Sequence, residues 1–277
     1  MCMRWAYYAL QLADINGLDS GSAIPSTTRE SFAGLAAIAP PVGEQQAIAE
    51  VLGALDDKIA ANAALARSAD ELMHVEFRAM PKARDVPLSA TAEFVNGKAF
   101  TKGASGTGRV VVRIAELNNG ISASTVYSDA IVDEKHVARP GDVLFAWSGS
   151  LTLHRWFRAE AIVNQHIFKV IPRVGYPTWL VYELLRHKLD DYRAIAADKA
   201  TTMGHIQRHH LDESVDTPSS EVIDRLDALM SDLWSCALSA EQESLTLMAI
   251  RDALLPQLMS GKLRVRDAEN ILSEASI

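Results

Sequence analysis

Residues 42–80 read VGEQQAIAEVLGALDDKIAANAALARSADELMHVEFRAM. Alternating steps of four and three select Ile48, Leu52, Leu55, Ile59, Asn62, Ala66, Ala69 and Met73, an apolar stripe interrupted by one amide. A period of 3.5 held this long predicts a helix that keeps one seam against a partner helix. Its length as helix is roughly 58 Å at 1.5 Å per residue. Pro40 and Pro41 precede it, and Pro81 forbids its continuation. A second such stretch follows Pro218, through Val222, Leu226, Leu229, Leu233, Cys236, Ala240, Glu243, Leu247, Ile250 and Leu254, with Pro256 marking its far end. Asn62 and Glu243 each put a polar group in a seam. There such a group costs stability but can fix register and partner; a local offset toward solvent would explain each equally well.

The same order of features occurs twice. Trp5-x-x-Tyr8-x-Leu10 leads to GSAIPSTTR (21–29), then Pro41, then the first heptad stretch. Trp179-x-x-Tyr182-x-Leu184 leads to TTMGHIQR (201–208), then Pro218, then the second. A repeat this long exceeds a solenoid period of 20–50 residues and reads as a duplicated domain whose first copy lacks its front end. Between the long helices, residues 86–215 carry strand-like runs at Val110–Ile114, Val126–Val132, Asp142–Ser148 and Ala161–Ile171, punctuated by Gly103, Gly106, Gly108, Gly120 and Pro140-Gly141. An amphipathic helix starting at Pro177 follows, with Leu180, Leu184, Leu185 and Leu189 along one side. The expected fold class is α+β: one mixed α/β domain plus two long antiparallel coiled-coil helices. The expected domains are 1–41, the tail of an incomplete first α/β domain; 42–80, the first spacer helix; 86–215, the complete domain; 219–260, the second spacer helix; and 261–277, a C-terminal tail.

The 277 residues have 27 Lys plus Arg against 35 Asp plus Glu, a formal charge of -8. Phosphate binding is driven by positive charge, so the total argues against nucleic acid. Its distribution does not. Residues 85–215 hold 15 basic and 14 acidic side chains and seven of the eight histidines, while the remainder holds 12 against 21. The acidity lies outside the central segment. Two cysteines, Cys2 and Cys236, exclude a disulfide framework and a cysteine-based zinc ribbon. With no apolar run approaching the roughly 18 residues of a membrane span and no signal-peptide core, a cytoplasmic setting without membrane contact is expected.

Motifs of autonomous chemistry are missing. The Gly103–Gly108 loop lacks the Gly-Lys-Ser/Thr ending of a P-loop, and only the strand-like VVVRI follows it. His205, His209 and His210 have no carboxylate or thiol at ligand spacing. Ser148 lacks a nucleophile elbow, and His166 lies on an alternating strand pattern as core histidines do. Asn164 and Gln165 can read adenine edges if they face a groove.

Taken together, GSAIPSTTR (21–29), PPVGEQQAIAEVLGALDDKI (40–59), GDVLFAWSGS (141–150), NQHIFKVIP (164–172), TTMGHIQR (201–208) and LLPQLMSGKLRVRDAE (254–269) resemble the specificity (S) subunit of type I restriction-modification systems, in the family's order over nearly the whole chain. The resemblance implies target-recognition domains that each read half of a bipartite DNA site, with spacer helices that hold modification subunits. It implies no catalysis and no cofactor in this chain: S-adenosylmethionine, ATP and Mg would belong to partner modification and restriction subunits. Only the second recognition domain, 86–215, is complete, so the chain looks like a truncated or split S subunit. Its partners would be double-stranded DNA, modification and restriction subunits, and either a second copy or a separately encoded N-terminal half.

The residues expected to bind DNA are Lys98, Lys102, Ser105, Thr107, Arg109 and Arg113 around the glycine-rich loop, and Trp147, Ser148, Ser150, His154 and Arg155 in the polar turn. Thr201, Thr202, His205 and Arg208 would contact phosphates, or their segment would dock the domain onto its helix. Two other readings stand beside this one: a coiled-coil assembly protein whose α/β domain binds another protein, and an enzyme using the histidine-rich centre.

Overall fold

A computed structural model of the chain describes residues 1–18, 26–35, 39–198 and 204–274. In chain order, α1 (Met3–Gln11) and α2 (Arg29–Ala33) precede the long α3 (Val42–Ala79). Then come β1 (Arg84–Pro87), α4 (Leu88–Thr91), β2 (Ala92–Asn96), β3 (Arg109–Val112), α5 (Ile114–Asn119), β4 (Tyr127–Ser128), β5 (Val137–Ala138), β6 (Val143–Ala146), β7 (Thr152–Arg155), β8 (Ala161–Val163) and β9 (Ile167–Pro172). α6 (Thr178–Asp198), β10 (Ser214–Thr217), the long α7 (Ser220–Met259) and α8 (Val265–Glu274) complete the order. The chain divides into two units, Met1–Ala63 with Glu243–Ile277, and Ala64–Gln242. The expected α+β class with two long antiparallel helices is what the chain adopts.

In the first unit, α1 lays Trp5 and Tyr8 against Ile48, Leu52 and Leu55 of α3, and Leu247, Leu254 and Leu258 of α7 close the core with Ala268 of α8. The stretches of α3 and α7 in this unit pair antiparallel: Asp56 accepts from Arg251 at 2.8 Å, and the Asn62 amide donates to Glu243 at 2.7 Å. Asn62 is buried and Glu243 sits at the edge of the seam, where Lys58 also reaches it. The two polar interruptions therefore satisfy each other, and a buried amide with one specific partner favours one register over its neighbours.

Two expectations about α7 need correction. Pro256 does not end the helix but lies inside its last turn, where its carbonyl accepts from the backbone N–H and hydroxyl of Ser260. Gly261, at φ 71°, closes the turn. The seam in the N-terminal half is also rotated: Ile223, Met230, Trp234 and Ala237 are buried, and Leu229 is exposed. The reason is that α7 there serves α6 as well as α3. The Trp179 indole donates to Asp227 at 2.7 Å, and Tyr182 packs edge-on against Trp234.

In the second unit, Ala66 and Ala69 of α3 meet Ala237 and Ala240 of α7 in a layer of small side chains. Leucine at position 69 has no room there, and overpacking of this kind costs about 1–3 kcal/mol. Urea unfolding of Ala69→Leu should show that loss; an unchanged midpoint would place the helices farther apart than described.

Two four-stranded sheets carry the α/β part, ordered β2-β9-β6-β7 and β4-β3-β8-β5, and a separate ribbon pairs β1 with β10. The first sheet is antiparallel throughout, and the second contains one parallel pair, β3 with β8. Strand β6 is buried on both faces. Val143 and Phe145 join Phe94, Phe168 and Val170 under α6, while Leu144 and Ala146 join Val112, Ala161, Val163 and Ile167 between the sheets. The period-2 alternation of a strand produces this division. The run Ala161–Ile171, expected as one strand, is two strands in different sheets, broken at Asn164–His166. Nor does VVVRI continue as a strand: α5 starts at Ile114. Its start is fixed by Glu116, which accepts from the backbone N–H of Arg113 at 3.0 Å.

Candidate nucleic-acid interface

One end of the first sheet gathers polar and aromatic side chains from four segments. Strand β6 ends at Ala146, and the backbone N–H of Trp147 bonds to His166 O at 3.1 Å. The segment 204–206 then adds to this end: Gly149 donates to Gly204 O at 2.8 Å, Ser148 bridges to His205, and Ile206 donates to Trp147 O at 3.1 Å. The Trp147 indole N–H is held by Asn96 Oδ1 at 2.8 Å, and its ring lies 5.2 Å from His166, 5.8 Å from Phe168 and 6.4 Å from His205. Asn96, Trp147, Phe168, His205, Ile206, Gln207 and Arg208 line a groove of about 380 Å³.

The β8–β9 turn brings the next residues to the same end. Gln165 is exposed, and its backbone N–H donates to Lys98 O at 2.9 Å. His166 has φ 73°, a left-handed conformation that is uncommon for a residue with a Cβ, and its Nδ1 is buried without a partner among the described residues. Strained backbone with unspent polar groups is concentrated at functional positions. The turn can approach Lys98 closely only because residue 97 is glycine; a Cβ there would run into the carbonyl of Asn164. Gly97→Ala should therefore shift the turn and cost about 1–3 kcal/mol. Thermal unfolding and the amide resonances of residues 164–166 would register it, and wild-type spectra would show that the approach is looser.

The expected DNA-binding residues separate into three groups. Lys98, Trp147, Ser148, His205 and Arg208 belong to this sheet end, Ser148 with its side chain buried. Ser105, Thr107 and Arg109 belong to the loop entering β3, at the open end of the β3–β4 pair, where Thr107 donates to Asp129 at 2.6 Å, Arg109 to Ala130 O at 2.7 Å, and Ser105 Oγ accepts from Asp129 N–H at 3.0 Å. Lys102 lies exposed in the loop between.

The third group is occupied internally. Arg113 forms a fork with the buried Glu116, at 2.9 and 2.5 Å, and also donates to Ser124 O. Burial pushes the Glu116 carboxyl up, but Arg113 more than offsets this and holds it below its ordinary range. His154 is 3.3 Å from Asn118 Oδ1, and burial lowers its pKa. Arg155 is not a surface cation at all: it is buried between Asp70 of α3 and Glu241 of α7. It pairs with Val143 at one end of β7, whereas the groove lies at the other end of that pair, beyond Ala146, and sequence position beside His154 gave no sign of that. Ser150 is exposed just past the groove, and Thr201 and Thr202 lie outside the described residues. Among the described residues of that segment, 204–206 bond to the sheet end, and Ile206 joins the core that also contains Ile223, Met230 and Trp234 of α7.

Asn96, Phe168 and Gln207 were not singled out from the sequence. Their signal was indirect, in the Gly97 that must follow Asn96 and in the alternation of β9. Among the described residues no three His, Cys, Asp or Glu side chains are grouped as a metal site requires, and no helix is long and apolar enough to cross a membrane.

No protein-family model and no curated protein matches the sequence. Among solved structures, the type I restriction-modification S subunit from M. genitalium superposes with a TM-score of 0.57 at 16% identity, over 93% of this chain and 72% of that one. The chain has the S-subunit fold. The HsdS subunit from Thermoanaerobacter tengcongensis aligns over 94% of this chain and 70% of that one, with a TM-score of 0.41 at 16% identity. A chain from a structure of type I R-M complex assembly aligns over 94% and 68%, with a TM-score of 0.40 at 16% identity. Within the S-subunit fold, the unit Ala64–Gln242 contributes the sheet end built around Trp147.

Proposed function

We propose that the chain is the DNA sequence-recognition subunit of a type I restriction-modification assembly. Adenine methylation and ATP-dependent cleavage would be carried out by partner modification and restriction subunits, which would hold S-adenosylmethionine, ATP and Mg. The observation that carries the reading is the sheet end: an S-subunit fold that presents Gln165, His166, Trp147 and His205 beside the exposed cations Lys98 and Arg208. Cations on phosphates position a protein on a duplex, and polar side chains at base edges specify the sequence. Lys98, Lys102 and Arg208 take the first role, because they are exposed and none is in an ion pair among the described residues. Gln165 and His166 take the second.

Three phosphate contacts are few, and the central segment has almost no excess positive charge, so the chain alone binds DNA weakly. Tight binding then needs modification subunits around the duplex. Converting Lys98, Lys102 and Arg208 together to Ala should weaken binding of the chain with its modification subunit across all sequences. It should also lower the slope of log K against log salt by about 3. Fluorescence anisotropy over a salt series measures both, and unchanged affinity and slope would remove these cations from the interface.

A further inference from the structure

Within the Ala64–Gln242 unit, the C-terminal part of α3 and helix α6 border a groove of about 470 Å³ that shares no residue with the sheet end. His74 and Arg78, four residues apart, line it from α3. Arg186, Asp190 and Arg193, spaced by four and three, line it from α6, with His187 beside them. A helix presents residues at these spacings on one side. Each helix therefore contributes one stripe, and both stripes are mainly basic.

Two of the basic groups are fixed from behind. Glu183 has a fully buried side chain and meets His74 Nδ1 at 2.7 Å, while 26% of the His74 side chain stays exposed. Arg186 donates to Glu183 at 3.4 Å and to Asp70 O at 3.1 Å. Burial pushes the Glu183 carboxyl up, and His74 and Arg186 pull it back only in part. An imidazole held at one ring nitrogen presents the other in a set direction. That other nitrogen, His74 Nε2, is not buried and has no protein partner among the described residues.

The acids beside the groove are already engaged. Asp190 accepts from Arg193 at 3.1 Å, and Glu183 is taken by His74 and Arg186. Arg78 and His187 are exposed and in no ion pair among the described residues. Arg78, His187 and His74 Nε2 are thus left without an acid. Nε2 donates when the His74–Glu183 pair holds a second proton, and a nearby anion favours that state.

The chemistry of these groups discriminates among anions. A carboxylate has two oxygens, and one guanidinium fork satisfies both. A phosphate monoester carries about −1.5 to −2 charge on three acceptor oxygens, enough for a fork and two imidazoles together. A diester in a duplex backbone carries about one charge and offers fewer free oxygens. We propose that the α3–α6 groove is a binding site for a phosphate monoester or a polyphosphate. Arg78 and His187 contact its terminal phosphate, and Glu183 holds His74 toward it. The site does not depend on DNA reading by the sheet end.

Isothermal titration calorimetry of the full chain in low-salt, phosphate-free buffer tests this, with inorganic pyrophosphate and adenosine monophosphate as probes. Saturable one-to-one binding is expected; binding of the monophosphate marks a monoester site, and binding of pyrophosphate alone a polyphosphate site. Arg78→Ala combined with His187→Ala should weaken it by about tenfold or more, as the loss of charge-assisted hydrogen bonds does. Arg78→Lys should lose less, because a point charge remains where the fork was. Converting Lys98, Lys102 and Arg208 to Ala should leave probe binding unchanged whatever it does to DNA binding, so the two sites fail separately. No saturable binding by folded chain, wild-type affinity in the Arg78–His187 double variant, or displacement of the probe by an unphosphorylated duplex at matched phosphate concentration would each overturn the proposal. Circular dichroism establishes folding of the variants, whose substituted side chains are exposed.

Discussion

Arg155→Met should destabilise the chain by about 3–5 kcal/mol, the usual cost of removing one partner from a buried ion pair. The side chain is 3% exposed and reaches two carboxylates, Asp70 at 3.0 and 3.2 Å and Glu241 at 2.9 and 3.1 Å. Its guanidinium carbon is 4.6 Å from the Trp234 ring. Burial works against the charge of Arg155, yet Glu241 and Asp70 together raise its pKa, so it stays charged. Removing it leaves two partly buried carboxylates facing each other with nothing between them. Lysine replaces the planar fork by a point charge and cannot bridge both, so Arg155→Lys should fall between wild type and Met.

The pH dependence has a definite sign. Burial already raises the Glu241 carboxyl above its ordinary range, and Arg155 is what pulls it back. In Arg155→Met the folded carboxyl rises further, so between the unfolded and folded pKa values the native state binds more protons than the unfolded one. Stability of the variant relative to wild type therefore recovers as pH falls through that window and is worst above it. Urea midpoints at a series of pH values measure this. A loss below about 1 kcal/mol with no pH dependence would mean that the site behaves as a surface ion pair. Replacing Asp70 and Glu241 by Leu as well should return most of the lost stability.

The second large effect concerns specificity. Gln165→Ala should relax preference at one base pair by about 1–3 kcal/mol, the value of one good bidentate contact to a base edge. Affinity for random DNA should change less, because phosphate contacts do not depend on it. His166→Gly separates the ring from the turn that carries it: glycine accepts φ 73° without strain, so folding is retained while the ring is lost. Competition of the preferred duplex against single-base variants reads both. Unaltered discrimination in the two variants would move base reading away from the β8–β9 turn.

The helix pair was legible because a seam is a property of residue type and spacing. Every residue from Ile48 to Met73 chosen for α3 lies at least partly inside. The N-terminal half of α7 was harder, since a helix packed on two sides buries a broad arc, and Val222, Leu229 and Leu233 fit a heptad as well as Ile223 and Met230 do. The break at Asn164–His166 was hidden because Ile162, Val163 and Ile167 are apolar on both sides of it, so the run reads as one buried strand. Helix α5 is six residues long and fixed by Glu116 and Arg113 rather than by periodicity.

The candidate site was legible in its residue types but not in its grouping. Arg109, Arg113 and Arg155 look alike in sequence to Lys98 and Arg208, and only the fold shows that the first three are engaged by a carbonyl, Glu116, and the Asp70–Glu241 pair. Trp147 was identifiable as an aromatic in a polar turn. That it would meet His166 and His205, from segments far along the chain, follows from the way 204–206 adds to the end of β6.

The most direct measurement is selection from a fully randomised duplex pool by the chain bound to its modification subunit, at fixed salt, with sequencing of the retained DNA. Sequence recognition by the Ala64–Gln242 unit predicts enrichment of a short defined base pattern that weakens in Gln165→Ala. Retained DNA with the base composition of the starting pool, from a folded and assembled complex, would contradict it.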